Sequence, residues 1–169
     1  MKYLLALFMV SLFMLSCKEE KEYSSIDPVN WEKRTIAPSG SDSMIVGSTY
    51  LSVYSQIYSQ TEHLTHDLTA TVSMRNINRA DTVYLTRAQY FDTKGNLIRT
   101  YFNRTIYIAP METIEIVIDE NDKEGGTGAN FLFDWTAATD IQEPHFEAVM
   151  ISTSGQQGLS FASQGIRLE

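Results

Sequence analysis

Two stretches of the chain alternate apolar and polar residues with a period of two. In residues 68–75, Leu68, Ala70, Val72 and Met74 fall on one face and Thr69, Thr71, Ser73 and Arg75 on the other, and in 113–118 Ile114, Ile116 and Ile118 alternate with Thr113, Glu115 and Val117. A strand sends successive side chains to opposite faces, so both stretches predict strands half-buried against a core, with Val72 and Ile116 facing in and Thr71 facing out. Similar runs at 45–57, 83–91, 97–102, 106–109, 131–135, 146–151 and 159–168 are further candidates, and 97–109 reads equally as one strand or two. Turn chemistry separates them. Asp92-Thr93-Lys94-Gly95-Asn96 places Gly where a bulged hairpin needs positive φ, and Ala109-Pro110-Met111-Glu112 has a turn-initiating Pro. No window of helical length shows a 3.6-residue period. About eight or nine short strands predict an all-β fold, an immunoglobulin-like antiparallel β-sandwich.

Upstream of residue 44 the pattern is different. Lys2 precedes a nearly unbroken apolar run over 4–15, followed by Ser16 and Cys17. The run is shorter than the roughly 20 residues of a spanning helix and fits the apolar core of a secretory signal. Ser16-Cys17 resembles the lipobox at which bacterial lipoproteins are cut and lipidated, although Met14 stands where Leu or Val is usual. The expectation is a lipoprotein signal peptide over 1–16, lipidation at Cys17, a lipid bilayer as partner, and an anchored location at the outer membrane. Lys18-Glu19-Glu20 resembles a surface-display signal of some lipoproteins, with the periplasmic face as the alternative. Pro28, Pro38, Gly40 and several serines predict a flexible tether over 17–43, in which Trp31 and Ile36 are placed to dock on the domain or the membrane. The sandwich domain then spans 44–169.

Composition narrows the function classes. Charged residues make up 20% and apolar ones 43% of 169, as in ordinary globular domains. The net charge is −8, and Lys2 is the only charged residue ahead of Cys17, so the chain from Cys17 onward carries −9. An acidic chain without a basic stripe lacks the electrostatic footprint for nucleic acid. Cys17 is the single cysteine, which excludes an intrachain disulfide framework and a thiolate metal site.

From about residue 46 to the C-terminus the chain resembles a family of bacterial lipoproteins catalogued as domain of unknown function 3124. The matching segments are Leu68-Thr69-Ala70-Thr71-Val72-Ser73-Met74-Arg75-Asn76, Tyr90-Phe91-Asp92-Thr93-Lys94-Gly95, Gly125-Gly126-Thr127-Gly128-Ala129-Asn130-Phe131, Glu147-Ala148-Val149-Met150 and Gln157-Gly158-Leu159-Ser160-Phe161. The glycine block and the last segment are the specific ones. The resemblance implies an address and a fold, but no activity and no catalytic residue.

Candidate chemistry is sparse. Glu62-His63-Leu64-Thr65-His66-Asp67 reads as a loop with two imidazoles that suits a transition metal if His145 or an acid joins it. The acidic run 119–124 departs from a calcium loop, with Lys123 at its fifth position and Asn130 at its twelfth, and reads as solvated. Gly125-Gly126-Thr127-Gly128 suggests an anion nest, yet no helix or lysine follows as a phosphate loop requires. No nucleophile elbow is present, and no cofactor is implied.

Strand counting links the two specific segments. In an antiparallel sandwich, loops separated by two strands lie at the same end, which joins the glycine loop to the 154–158 loop. The candidate binding residues are therefore Gly125, Gly126, Thr127, Asn130, Gln156 and Gln157, a set of backbone donors, a hydroxyl and amides. The function read from these features is a membrane-anchored binding module for an envelope protein or a small polar ligand. The alternative is a metal-binding protein or an enzyme of the envelope.

Overall fold

The computed structural model describes residues 29–37, 43–153 and 158–168. The fold is all-β with antiparallel sheets and contains eleven strands: β1 (Met44–Val53), β2 (Gln56–Ser59), β3 (Thr61–Asp67), β4 (Thr69–Arg75), β5 (Val83–Phe91), β6 (Leu97–Ile108), β7 (Thr113–Ile118), β8 (Ala129–Ala138), β9 (His145–Ser152), β10 (Leu159–Gln164) and β11 (Ile166–Leu168). A five-stranded sheet runs β11-β1-β8-β5-β6, a four-stranded sheet runs β10-β9-β4-β7, and β2 and β3 form a separate hairpin.

The alternation that predicted β4 and β7 also sets their facing. Leu68, Ala70, Val72 and Met74 are fully buried, as are Ile114, Ile116 and Ile118 to within 3% exposure. Thr71 and Glu115 turn outward from their paired strands. The two sheets close over one core whose centre is aromatic. Tyr90 stacks on Phe131 at 4.8 Å, Phe131 on Phe133 at 5.3 Å, and Phe133 on Phe146 at 4.5 Å, the last contact crossing from one sheet to the other. Burying each such ring contributes roughly 1.5–3 kcal/mol, so this column alone outweighs any surface polar contact in the fold.

Several expected boundaries differ. The eight or nine strands become eleven because two expected strands divide and one loop is a strand. The 45–57 stretch ends at Val53, and its tail turns out of the sheet as β2. The 159–168 stretch bends at Gly165, sending β10 to one sheet and β11 to the other. A Cβ on Gly165 would stand 2.6 Å from Thr49 Cγ2 and 3.0 Å from Phe146 Cβ, so this crossing needs a residue without a side chain. Conversely, 97–108 is one strand, β6, whose pairing with β5 shifts register three times. Those bulges interrupt the apolar alternation that made it look like two.

Within the stretch expected to be a tether, residues 29–37 form a strap along β6. Ile36 N–H donates to the Thr105 carbonyl at 3.0 Å and Tyr107 N–H to the Arg34 carbonyl at 3.3 Å. Trp31 packs on Phe102 with centroids 4.8 Å apart, and Arg34 pairs with Glu112 at 2.6 Å. The strap thus covers part of an edge strand that would otherwise present unpaired backbone groups.

Candidate functional site

The strand pairing divides the loops between two ends. At one end lie the β1–β2 junction, the 92–96 turn, the 119–128 loop, the C-terminal end of β9 and the N-terminal end of β10. At the other lie the 76–82 loop, the 109–112 turn and the 139–144 loop. β7 and β9 flank β4 and run in the same direction, with Ile118 opposite Ala70 and Ile151 opposite Thr69. The glycine loop and the β9–β10 connection therefore leave from the same end, as strand counting requires.

The glycine loop is built into this end by its neighbours. The Gly126 carbonyl accepts from Ser55 N–H and Gln56 N–H, both at 3.1 Å. The Gly125 carbonyl accepts from Thr93 N–H at 3.1 Å and from Thr93 Oγ1 at 2.9 Å, and Gly128 N–H donates back to Thr93 Oγ1 at 3.0 Å. Gly126, at φ 71°, donates its N–H to the Lys123 carbonyl at 3.2 Å. Gly125 approaches so closely that a Cβ there would lie 2.0 Å from the Tyr90 hydroxyl and 2.8 Å from Ser55 Oγ. These two hydroxyls are hydrogen-bonded to each other at 2.8 Å beneath the loop. Burial pushes the Tyr90 phenol above its ordinary range, which keeps it neutral. The N–H groups of Gly126 and Gly128 are thus used within the loop cluster rather than aimed at a ligand.

The acidic run is not uniformly solvated. Asp122 is 2% exposed and receives Arg99 Nη2 at 3.0 Å, while Arg99 Nη1 donates to the Tyr101 hydroxyl at 2.9 Å. A buried carboxylate requires such a partner. The signal for it, Arg99 in β6, is 23 residues away in sequence and shows no local spacing.

The remaining candidates separate. Asn130 is in β8 rather than in the loop; alternation with the buried Ala129 and Phe131 puts it on the outer face of the five-stranded sheet, opposite Ser52 and Phe91. Thr127 lies in the loop. Gln156, Gln157 and Cys17 fall outside the described residues. His63 and His66 lie on strand β3 instead of a loop, whereas His145 opens β9 at the far end, opposite Arg75. Because β6 is a single strand, the three imidazoles do not converge. Among the described residues no cluster of three His, Cys, Asp or Glu suits a metal ion.

The hairpin is the part of this end that sequence reading missed. β2 and β3 stand outside both sheets and turn at Gln60, whose φ is 58°. Its base is tied down by Gln56 Nε2 donating to Asp67 Oδ1 at 2.7 Å and by Lys123 Nζ to Asp67 Oδ2 at 2.5 Å. These hydrogen bonds, from Lys123 first and then Gln56, hold the Asp67 carboxyl below the usual range. Tyr58 and Leu64 on the arm are 62% and 48% exposed.

The model of a family described as "Protein of unknown function (DUF3124)" matches residues 46–168. The chain belongs to this family. The DUF3124 region begins within β1 and ends with β11, so it contains both sheets and the hairpin but not the strap. No curated protein matches the chain. Among solved structures, the crystal structure of Thermotoga maritima 1070 is similar at 8% identity and a TM-score of 0.46, covering 71% of this chain and 92% of that one.

Proposed function

We propose that this DUF3124 protein is a lipid-anchored envelope protein whose domain works by binding another envelope protein through the glycine-loop end. One observation carries the binding reading: a two-stranded arm projects from a rigid base with Tyr58 and Leu64 exposed on it. An isolated hairpin is marginal in water, and this one is anchored only at its base, as a contact arm needs to be. Exposed aromatic and aliphatic residues on a rigid platform favour a protein surface over a small polar ligand. In this reading Gly125, Gly126 and Thr127 are the platform. Asn130 belongs to the adjoining sheet face, and Gln156 and Gln157 lie outside the described residues.

The anchor rests on the apolar run over 4–15 followed by Ser16-Cys17. The outer membrane is its proposed location, with Lys18-Glu19-Glu20 favouring surface display. We also read the sandwich as immunoglobulin-like. β4 pairs with β7 and β5 with β8 as strands B–E and C–F do, while β9 takes the place beside β4 that A would have and β1 the place beside β8 that G would have.

A photoreactive residue at position 58 in the anchored chain tests the arm in intact cells. A discrete protein adduct, lost when Leu64→Ser is added without a change in melting temperature, is the expected result. No adduct, or one indifferent to Leu64→Ser, overturns the arm. Separately, Cys17→Ser is expected to release the chain from membranes. Persistence in the membrane fraction after signal removal overturns the anchor.

A further inference from the structure

The outward face of the five-stranded sheet is apolar where a solvated face would be charged. Leu132 stands in its central strand, β8, between Tyr50 of β1 and Gln89 of β5, and Ile166 of β11 lies opposite Tyr50. Across β5 and β6, Phe91 is opposite Leu97 and Tyr84 opposite Tyr107. Tyr50, Leu132, Tyr84 and Phe91 alternate with buried residues along their strands, and directly opposed residues of an antiparallel pair share a face. Val46, Leu97, Ile166 and Leu168 are 71%, 50%, 65% and 42% exposed.

Register places only two charged residues on this face, Arg87 and Asp134, and they pair with each other at 2.5 Å. Asp134 also accepts from Ser48 Oγ at 2.6 Å, and its side chain is only 19% exposed. The face is therefore neutral, and covering its one ion pair costs little further desolvation. Further charges lie at the margin, Arg104 in a register shift of β6 and Arg34 of the strap over the Tyr107 ring. The outward face of the four-stranded sheet differs. Val149 and Ile151 are exposed there, but Arg75, Glu115, His145 and Glu147 share it, as on a solvated sheet face.

Size and charge identify the occupant. Five strands about 4.8 Å apart and about 25–30 Å long offer roughly 600–700 Å² before side-chain relief is counted. Each partner in a standard protein–protein interface contributes about 800 Å². Few charges and several aromatic rings are the composition of an interface core. A flat sheet face is complemented by another, packed about 10 Å away with interdigitating side chains. The chain carries −8 overall, so its acidic surfaces repel a second copy, whereas this neutral face does not.

We propose that this face is the interface of a symmetric homodimer, in which two copies pack sheet on sheet about a two-fold axis running between β8 and β5. Such an axis sets each copy's Arg87 over the other copy's Asp134, so the charges alternate in sign across the interface. Neither the hairpin arm nor the lipid anchor contributes to this contact, and the dimer stands or falls apart from both.

The test uses the full-length chain in bacterial cells, expressed as two differently tagged copies with a photoreactive residue at position 132. An adduct of twice the chain's mass carrying both tags is the expected result. The same residue at position 71, on the four-stranded sheet, is expected to give none. No double-tagged adduct at 132, an adduct with a different protein in its place, or equal yields at 132 and 71 overturns the dimer. With the photoreactive residue moved to position 50, Leu132→Glu in both copies is expected to lower the double-tagged yield several-fold. Leu132→Glu in one copy and Leu132→Lys in the other is expected to restore it, which no folding defect of either copy would allow. A yield that two Glu copies do not lower, or that the opposite charges do not restore, also overturns the dimer.

Discussion

Gly125 and Met111 occupy opposite kinds of backbone position, and each makes a prediction at the scale of one residue. Gly125 lies over the Tyr90–Ser55 hydroxyl pair with no room for a Cβ. Gly125→Ala forces the loop to lift or the pair to part. Overpacking of this kind costs about 1–3 kcal/mol, and a buried hydroxyl left unpaired costs a similar amount. A clear fall in the urea midpoint is expected, and an unchanged midpoint would show that the loop floats free of Tyr90. Met111 is the reverse case, a side chain at φ 60° where none is favoured. Left-handed backbone costs a non-glycine residue about 1–2 kcal/mol, and glycine's greater unfolded-state freedom takes part of that back. Met111→Gly is accordingly expected to stabilise the domain by about 0.5 kcal/mol in thermal denaturation. A loss of stability would mean that the methionine makes contacts worth more than its strain.

Among the elements, β4 tests facing and the hairpin tests acidity. Val72→Asp puts an unpaired carboxylate into the core and is expected to cost several kcal/mol, whereas Thr71→Asp on the outer face is expected to be mild. Equal losses in chemical denaturation would contradict the register. At the base of the hairpin, the Asp67 carboxyl is depressed by Lys123 and Gln56. Its contribution is therefore complete above the unfolded carboxyl pKa of about 4 and fades as pH falls through the lower folded value. NMR shifts of residues 56–67 are expected to move in acid before those of β4, and simultaneous movement would mean that this pair does not hold the arm. The same elements show what was legible in the sequence. β4 and β7 were, because each sets apolar residues toward the core and mostly polar ones on the other face, and so writes a strict alternation. The hairpin was not, because its residues 61–64 are all exposed and it turns at Gln60 rather than at Gly, Asn or Pro. At the candidate site, the shared end of β7 and β9 followed from counting strands. The internal use of the glycine loop's hydrogen bonds did not, since Thr93, Ser55 and Tyr90 lie 32 to 70 positions away in the chain from Gly125.

For the whole molecule, the strap shows that the domain's packing begins ahead of its first sheet strand. Removing the Trp31 ring from Phe102 by Trp31→Ala is expected to cost about 2 kcal/mol, below the range for a fully buried ring. It is also expected to open residues 29–37 to limited proteolysis while both sheets persist; cleavage no faster than in the parent would show that the backbone bonds to β6 suffice. The crossing at Gly165 acts over the longest range. β11 pairs with β1, placing Leu168 opposite Ser48, and β1's other neighbour is β8. A chain threaded out N-terminus first, from a ribosome or through a translocon, presents β1 long before either flanking strand exists. The fold's closing seam is thus the last segment to arrive. Until β8 emerges, a strand carrying Leu51 and Val53 waits with two bare edges, and until β11 emerges it keeps one, so this is the interval in which a holding chaperone matters most and a truncated transcript does the most harm.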